Sequence, residues 1–129
     1  MTGGHPLGLG AGALLVAAAA MGQEAPMSLR TSRLLAEGKQ PVTIVCFGDS
    51  ITGVYYHTGG RRAWPEMLGL ALRRLYPAAQ VEVVNAGLSG DTTVGALARM
   101  EAEVLRHQPH LVAVMFGMDD ALTARRGLT

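Results

Sequence analysis

Cysteine occurs once in these 129 residues, at position 46, so no disulfide can form within the chain. An excess of charge of one sign is also missing. The formal net charge of +1 gives no general attraction to polyanions, and no nucleic-acid partner is expected. No Gly-x-x-x-x-Gly-Lys-Ser/Thr and no Gly-x-Gly-x-x-Gly occurs, so no nucleotide cofactor is implied. The alanine-rich run Leu7 to Gly22 is too short and too weakly apolar for a stable membrane span. It has the form of the hydrophobic part of a secretory signal, with Ala18-Ala19-Ala20 as a small-residue cleavage site. The first ten residues hold no Lys or Arg, so a disordered leader or a misplaced start codon is the alternative. Residues 1–22 are therefore expected to be a leader that sends the protein to the periplasm or outside. Residues 23–40 form a short helical connector, and 41–129 form one small domain. An apolar fraction of 49% suits a globular core.

What is present begins at Val42. A β-branched apolar run ends abruptly in Gly48-Asp49-Ser50, the pattern of a buried strand that delivers a serine into a loop. Val81-Glu82-Val83-Val84 runs likewise into Asn85-Ala86-Gly87-Leu88-Ser89-Gly90-Asp91, and Leu111 to Phe116 into Gly117-Met118-Asp119-Asp120. Helices are expected over 27–37, 65–76 and 93–107. Trp64, Met67, Leu68, Ala71, Leu72 and Leu75 would face the core from one, and Leu97, Met100, Val104 and Leu105 from another. Arg99, Glu101, Glu103 and Arg106 would be solvated. The order β-α-β-α-β makes the strands parallel with right-handed crossovers. Ligands of such sheets bind outside the carboxyl ends of the strands. The plain reading of Asp49 and Ser50 is a turn and a helix cap.

Gly48-Asp49-Ser50-Ile51-Thr52, Asn85-Ala86-Gly87-Leu88-Ser89-Gly90 and Gly117-Met118-Asp119-Asp120 together resemble, in order, the first three sequence blocks of the SGNH (GDSL-type) hydrolases. The resemblance covers about residues 41 to 121. It implies a three-layer α/β/α flavodoxin-like parallel sheet, with the first strand between the second and third, ending here after the third. It implies hydrolysis of small-molecule esters, carbohydrate acyl esters among them, without cofactor or metal. Two departures stand out. Asp119 replaces the asparagine of the third block, and no Asp-x-x-His occurs. Both make the chain as it stands an expected inactive fragment. The alternatives are a non-catalytic remnant or binding module of the same fold, or a metal- or phosphate-handling domain.

Acyl transfer needs a nucleophile, a base and donors for the oxyanion. The resemblance makes Ser50 the nucleophile. Gly87 is the candidate backbone donor, since glycine permits close approach. Asp119 aligns with the third donor, yet an ionised carboxylate only accepts hydrogen bonds. Asp49 and Asn85 would brace their turns, and Asp120 would cap a helix or brace a loop. His57 is the one histidine close to Ser50 in sequence. It would serve as base or, more plainly, line a groove. His107 and His110 fall at the opposite end of the strand, in structural roles. Arg61 and Arg62 would be solvated, or would greet an anionic substrate. Asp49, Asp91, Asp119 and Asp120 could share the sheet edge and hold Mg²⁺, which is the competing chemistry.

Overall fold

The computed structural model describes residues 29–127, so the leader expected over 1–22 lies outside the described residues. The elements are α1 (Arg30–Glu37), β1 (Val42–Gly48), α2 (Trp64–Leu75), β2 (Val81–Gly87), α3 (Thr93–Glu103), a 3₁₀ turn (Leu105–His107), β3 (Leu111–Met115) and α4 (Met118–Arg125). The strands form one parallel sheet in the order β2-β1-β3. Val42 pairs with Val81 and Gly48 with Gly87 on one side, and Ile44 with Leu111 and Gly48 with Met115 on the other. The central position of β1 is the one the resemblance implied.

β1 is apolar apart from Thr43, and both of its faces are covered. Val42, Ile44 and Cys46 pack under α1 and α2 with Leu35, Leu68 and Leu72. Val45 and Phe47 point the other way, onto Ala86, Ala96 and Val104 beneath α3. Successive strand residues alternate in direction, so a strand between two helical layers has no polar face. Burial pushes the Cys46 thiol up to about 11, and negative Glu66 adds to the shift. The thiol therefore stays protonated and serves as packing.

The helix ends follow local chemistry. Gly38 closes α1 in the left-handed region, at φ 60°, and donates to Leu34 O. Glu66 accepts from the Ala63 N–H at 2.8 Å at the start of α2, where Pro65 also sits. Thr92 caps α3 by accepting from the Gly95 N–H.

The helix faces differ from the expected stripes. Met67, Leu75, Leu97 and Leu105 are exposed, while Gly69, Ala96 and Arg99 turn inward. The helices approach the sheet through their small residues. A Cβ on Gly69 would lie 3.3 Å from Val83 Cγ2. Large side chains are thereby moved to the flanks. The expectation of a solvated Arg99 is corrected in the same way. Its side chain is only 11% exposed and its guanidinium lies over the Phe47 ring, 4.5 Å from the centroid.

At the other end of the sheet, His110 Nδ1 accepts from the Thr43 N–H at 3.1 Å, and its carbonyl accepts from Thr31 Oγ1. That is a structural role. No helix among the described residues is long and apolar enough to cross a membrane.

Candidate active site

Three turns meet at the carboxyl ends of the strands, and a web of hydrogen bonds joins the first two. Asp49 is fully buried and accepts from the Ile51 N–H at 2.9 Å, while the Asp49 carbonyl accepts from the Thr52 and Gly53 amides. This is an Asx-type turn that presents Ser50. Asn85 Nδ2 donates to Thr52 O and to Glu66 Oε1, both at 2.9 Å. One amide thus ties the end of β2 to the serine loop and to α2. Trp64 Nε1 donates to Thr52 Oγ1. Gly48 is required by this crowding. A Cβ there would fall 2.1 Å from Thr52 Oγ1 and 2.6 Å from Met115 O.

Ser50 lies at the floor of a cleft of about 400 Å³, shared with Ile51, Tyr56, His57, Ser89, Gly90, Met118, Asp119 and Leu122. His57 reaches it from the Gly53–Gly60 loop, and Ser50 Oγ and His57 Nε2 are 3.1 Å apart. That is hydrogen-bond distance for a nucleophile and its base. Tyr56 packs edge-on against the imidazole, with ring centroids 4.8 Å apart. The imidazole itself is exposed, and among the described residues no carboxylate bonds its other nitrogen. The pair has the spacing of a dyad, without the third member that orients the base in a triad.

Gly87 is not placed for the donor role expected of it. Its N–H donates to Asn85 Oδ1 at 3.0 Å, and it does not line the cleft. Its glycine identity has a different cause, because a Cβ would fall 2.2 Å from Gly53 N where the two turns cross. Gly90 does line the cleft, at φ +78° with open space around its Cα. Among the described residues neither the Gly90 nor the Ser50 amide has a backbone or side-chain acceptor. The sequence signal for Gly90 was its own block, Leu88-Ser89-Gly90-Asp91, where a left-handed turn after a strand needs glycine.

The third turn is joined more lightly. Asp119 and Asp120 stand in the first turn of α4, and Gly117 precedes it at φ +126°. Asp119 borders the cleft, with its Oδ2 buried and unpartnered. Asp120 braces instead, accepting from Thr93 N at 3.0 Å and Thr93 Oγ1 at 2.5 Å. The Thr93 hydroxyl, with the Thr93 amide second, holds the Asp120 carboxyl below its ordinary value of 3.8.

Three of the four carboxylates of the Mg²⁺ reading are taken up by this web. Asp49 serves Ile51, Asp120 serves Thr93, and Asp91 lies 2.7 Å from Arg99 Nε. Among the described residues no three His, Cys, Asp or Glu side chains stand together in a metal-binding group.

A parallel α/β sheet with a strand-end serine, a histidine partner and a shared cleft defines a hydrolase-like site. The GDSL-like Lipase/Acylhydrolase family model matches residues 46–128, and the chain belongs to that family. It is 36% identical over 80 residues to Thioesterase 1/protease 1/lysophospholipase L1 of Escherichia coli, covering 62% of this chain and 36% of that protein. Among solved structures it is similar to AlinE4, an SGNH-hydrolase family esterase, with TM-score 0.53 and 36% identity over 70% of this chain and 46% of that one. It is also similar to an acetyl xylan esterase from Geobacillus stearothermophilus, with TM-score 0.56 and 27% identity over 64% of this chain and 41% of that one. The chain spans less than half the length of each of these. Its homologues are ester hydrolases and acylhydrolases.

Proposed function

We propose that the chain is a serine ester hydrolase with Ser50 as nucleophile and His57 as its base. The observation that carries this reading is the 3.1 Å approach of His57 Nε2 to Ser50 Oγ inside the strand-end cleft. His57 takes the hydroxyl proton as Ser50 Oγ bonds to the ester carbonyl carbon, and the carbonyl oxygen becomes an oxyanion. The Ser50 and Gly90 amides are its donors. Collapse of the intermediate expels the alcohol oxygen, which receives the proton from His57. Water then repeats the sequence on the acyl-enzyme and releases the acid.

The expectation of inactivity rested on the lack of a base and on Asp119, and His57 answers the first in kind though not in strength. An exposed imidazole with no orienting carboxylate is a weaker base than one held in a triad. Asp119 further weakens the site, because an ionised carboxylate beside an oxyanion repels it. Slow turnover is the expected result. The fitting substrates are small acyl esters, carbohydrate acetates included. Their acyl part would lie against Ile51, Tyr56, Met118 and Leu122. Export through the leader at 1–22, the connector at 23–40 and the hydrolase domain from 41 onward belong to the same proposal.

The test is hydrolysis of p-nitrophenyl acetate by the 129-residue chain. Ser50→Ala should abolish turnover above buffer, and His57→Gln should lower it by about a hundredfold, the lower end of a general base's contribution. Turnover no higher than buffer in the unaltered chain would favour the non-catalytic binding module instead, and turnover above buffer that survives Ser50→Ala would overturn the assignment of the nucleophile.

A further inference from the structure

Arg99 is the one long charged side chain that α3 turns into the protein. It reaches four groups, and three of them lie at the carboxyl ends of β1 and β2 or in the turn that follows β2. Nη2 donates to Gly48 O at 3.0 Å, two residues before Ser50. Nη1 donates to Ala86 O at 2.9 Å, where the chain leaves β2. Nε donates to Asp91 Oδ2 at 2.7 Å, directly after Gly90. The fourth group, Glu103 Oε2, meets Nη1 at 2.6 Å from one helical turn along, and the Phe47 ring packs beneath the guanidinium. Asp91 in turn holds the start of α3, accepting from the Thr92 N–H at 3.0 Å.

From this we infer that Arg99 is a positioning residue for the oxyanion site, an assignment that rests on the hydrolase reading above. The Ser50 amide is fixed to the end of β1 and the Gly90 amide lies in the turn after β2. No backbone bond joins Gly90 itself to the serine loop. One backbone bond, Leu88 N–H to Gly48 O at 3.0 Å, ties the turn at its start. Arg99 grips both sides of the same turn, at Ala86 and at Asp91, and grips the serine strand at Gly48. The planar fork of a guanidinium does this at fixed spacing, and a lysine ammonium does not. Two donors aimed at one oxyanion are useful only at the right separation, and a displacement of about 1 Å can cost on the order of a hundredfold in rate.

The experiment measures phosphonylation of Ser50 in the full chain by a p-nitrophenyl alkylphosphonate. Ser50 Oγ bonds to phosphorus, p-nitrophenolate leaves, and His57 takes the hydroxyl proton. Arg99→Lys keeps the charge opposite Asp91 and removes the fork. It should slow the labelling step by about a hundredfold, leave the half-saturating probe concentration within about twofold, and speed amide hydrogen exchange in residues 87–92 but not in β1. Labelling at the unaltered rate, or slowed only in step with the unfolded fraction, would overturn the inference. Should Arg99→Lys lose its cooperative melt, Asp91→Asn decides the matter, since it releases one side of the guanidinium and retains both carbonyl bonds. A labelling rate lowered roughly tenfold supports the assignment, and an unchanged rate ends it. Failure of the unaltered chain to label, or labelling that survives Ser50→Ala, would sink the hydrolase reading itself.

Discussion

The β1–β2 side of the sheet and the β3–α4 side carry the same kind of motif, a strand ending in a glycine turn, yet they are built differently. On the first side seven residue pairs are in register, and the turns beyond them are laced by Asn85, Asp49, Thr52 and Arg99. On the second side five pairs are in register, Val114 is 68% exposed, and α4 buries none of its residues. What holds the third turn is the bond from the Asp49 N–H to Met115 O at 3.3 Å, the edge-on stack of Phe47 on Phe116, 5.2 Å between centroids, and the two bonds from Thr93 to Asp120. Ser50, proposed above as the nucleophile, and the Ser50 and Gly90 amides proposed as its donors therefore sit in the rigid half. Asp119, the residue that departs from the family pattern, sits in the loose half. Buried, satisfied polar contacts fix geometry, and few of them reach α4.

The sharpest way to break this contrast is to crowd the rigid half. Gly87→Ala forces a Cβ to within 2.2 Å of the Gly53 backbone nitrogen, which cannot swing aside as a side chain can. Overpacking of that kind costs about 1–3 kcal/mol or more, which should lower the melting temperature by roughly 10 °C in a domain of this size. A melt within a degree or two of the unaltered chain would show that the two turns are not locked together.

Next in size is a change in the loose half that should help. Asp119→Asn replaces a buried, unpartnered carboxylate oxygen at the cleft with a group that can donate. An oxyanion donor is worth about a hundredfold in turnover. Because α4 is lightly held, a gain of roughly tenfold in p-nitrophenyl acetate hydrolysis is expected. A fall in turnover would show that the carboxylate has a positive role.

A smaller effect tests the Thr93–Asp120 tie. The Asp120 carboxyl lies below its ordinary value of 3.8, so the folded state prefers the ionised form. Its contribution to stability is complete above that ordinary value and is lost as the pH falls through the lower folded one. Asp120→Asn should therefore lower the melting temperature slightly at pH 7 and leave it unchanged near pH 2. A difference that grows as the pH falls would reverse the sign and refute the tie.

The smallest effect is expected at the open edge. Val114→Thr replaces an exposed strand residue with another β-branched one, and its stability should stay within about 0.5 kcal/mol. A larger loss in urea denaturation would mean that the edge is covered in solution.

The sequence by itself determined the sheet and the site's address. Largely apolar, β-branched runs at Val42, Val81 and Leu111, each ending in a glycine turn, marked the strands, and helix-length spacers between them required parallel pairing. The proposal of Ser50 as nucleophile rests first on its place after the first strand. Asp49 and Asn85 were legible as turn braces because their bonding is local, or nearly so. Tertiary structure decided the rest. Gly87 and Gly90 lie in one short block, and only the crossing of Gly87 over Gly53 and the bond from its N–H to Asn85 separate a packing glycine from a cleft glycine. Arg99 reads as solvated on a helical wheel, because the carbonyls of Gly48 and Ala86 that draw it inward lie far away in sequence. The partnership of His57 with Ser50 depends on a loop whose path no periodicity encodes. Residue pattern fixes which faces are apolar, whereas the pairing of polar groups across turns depends on distances that exist only once the strands are side by side.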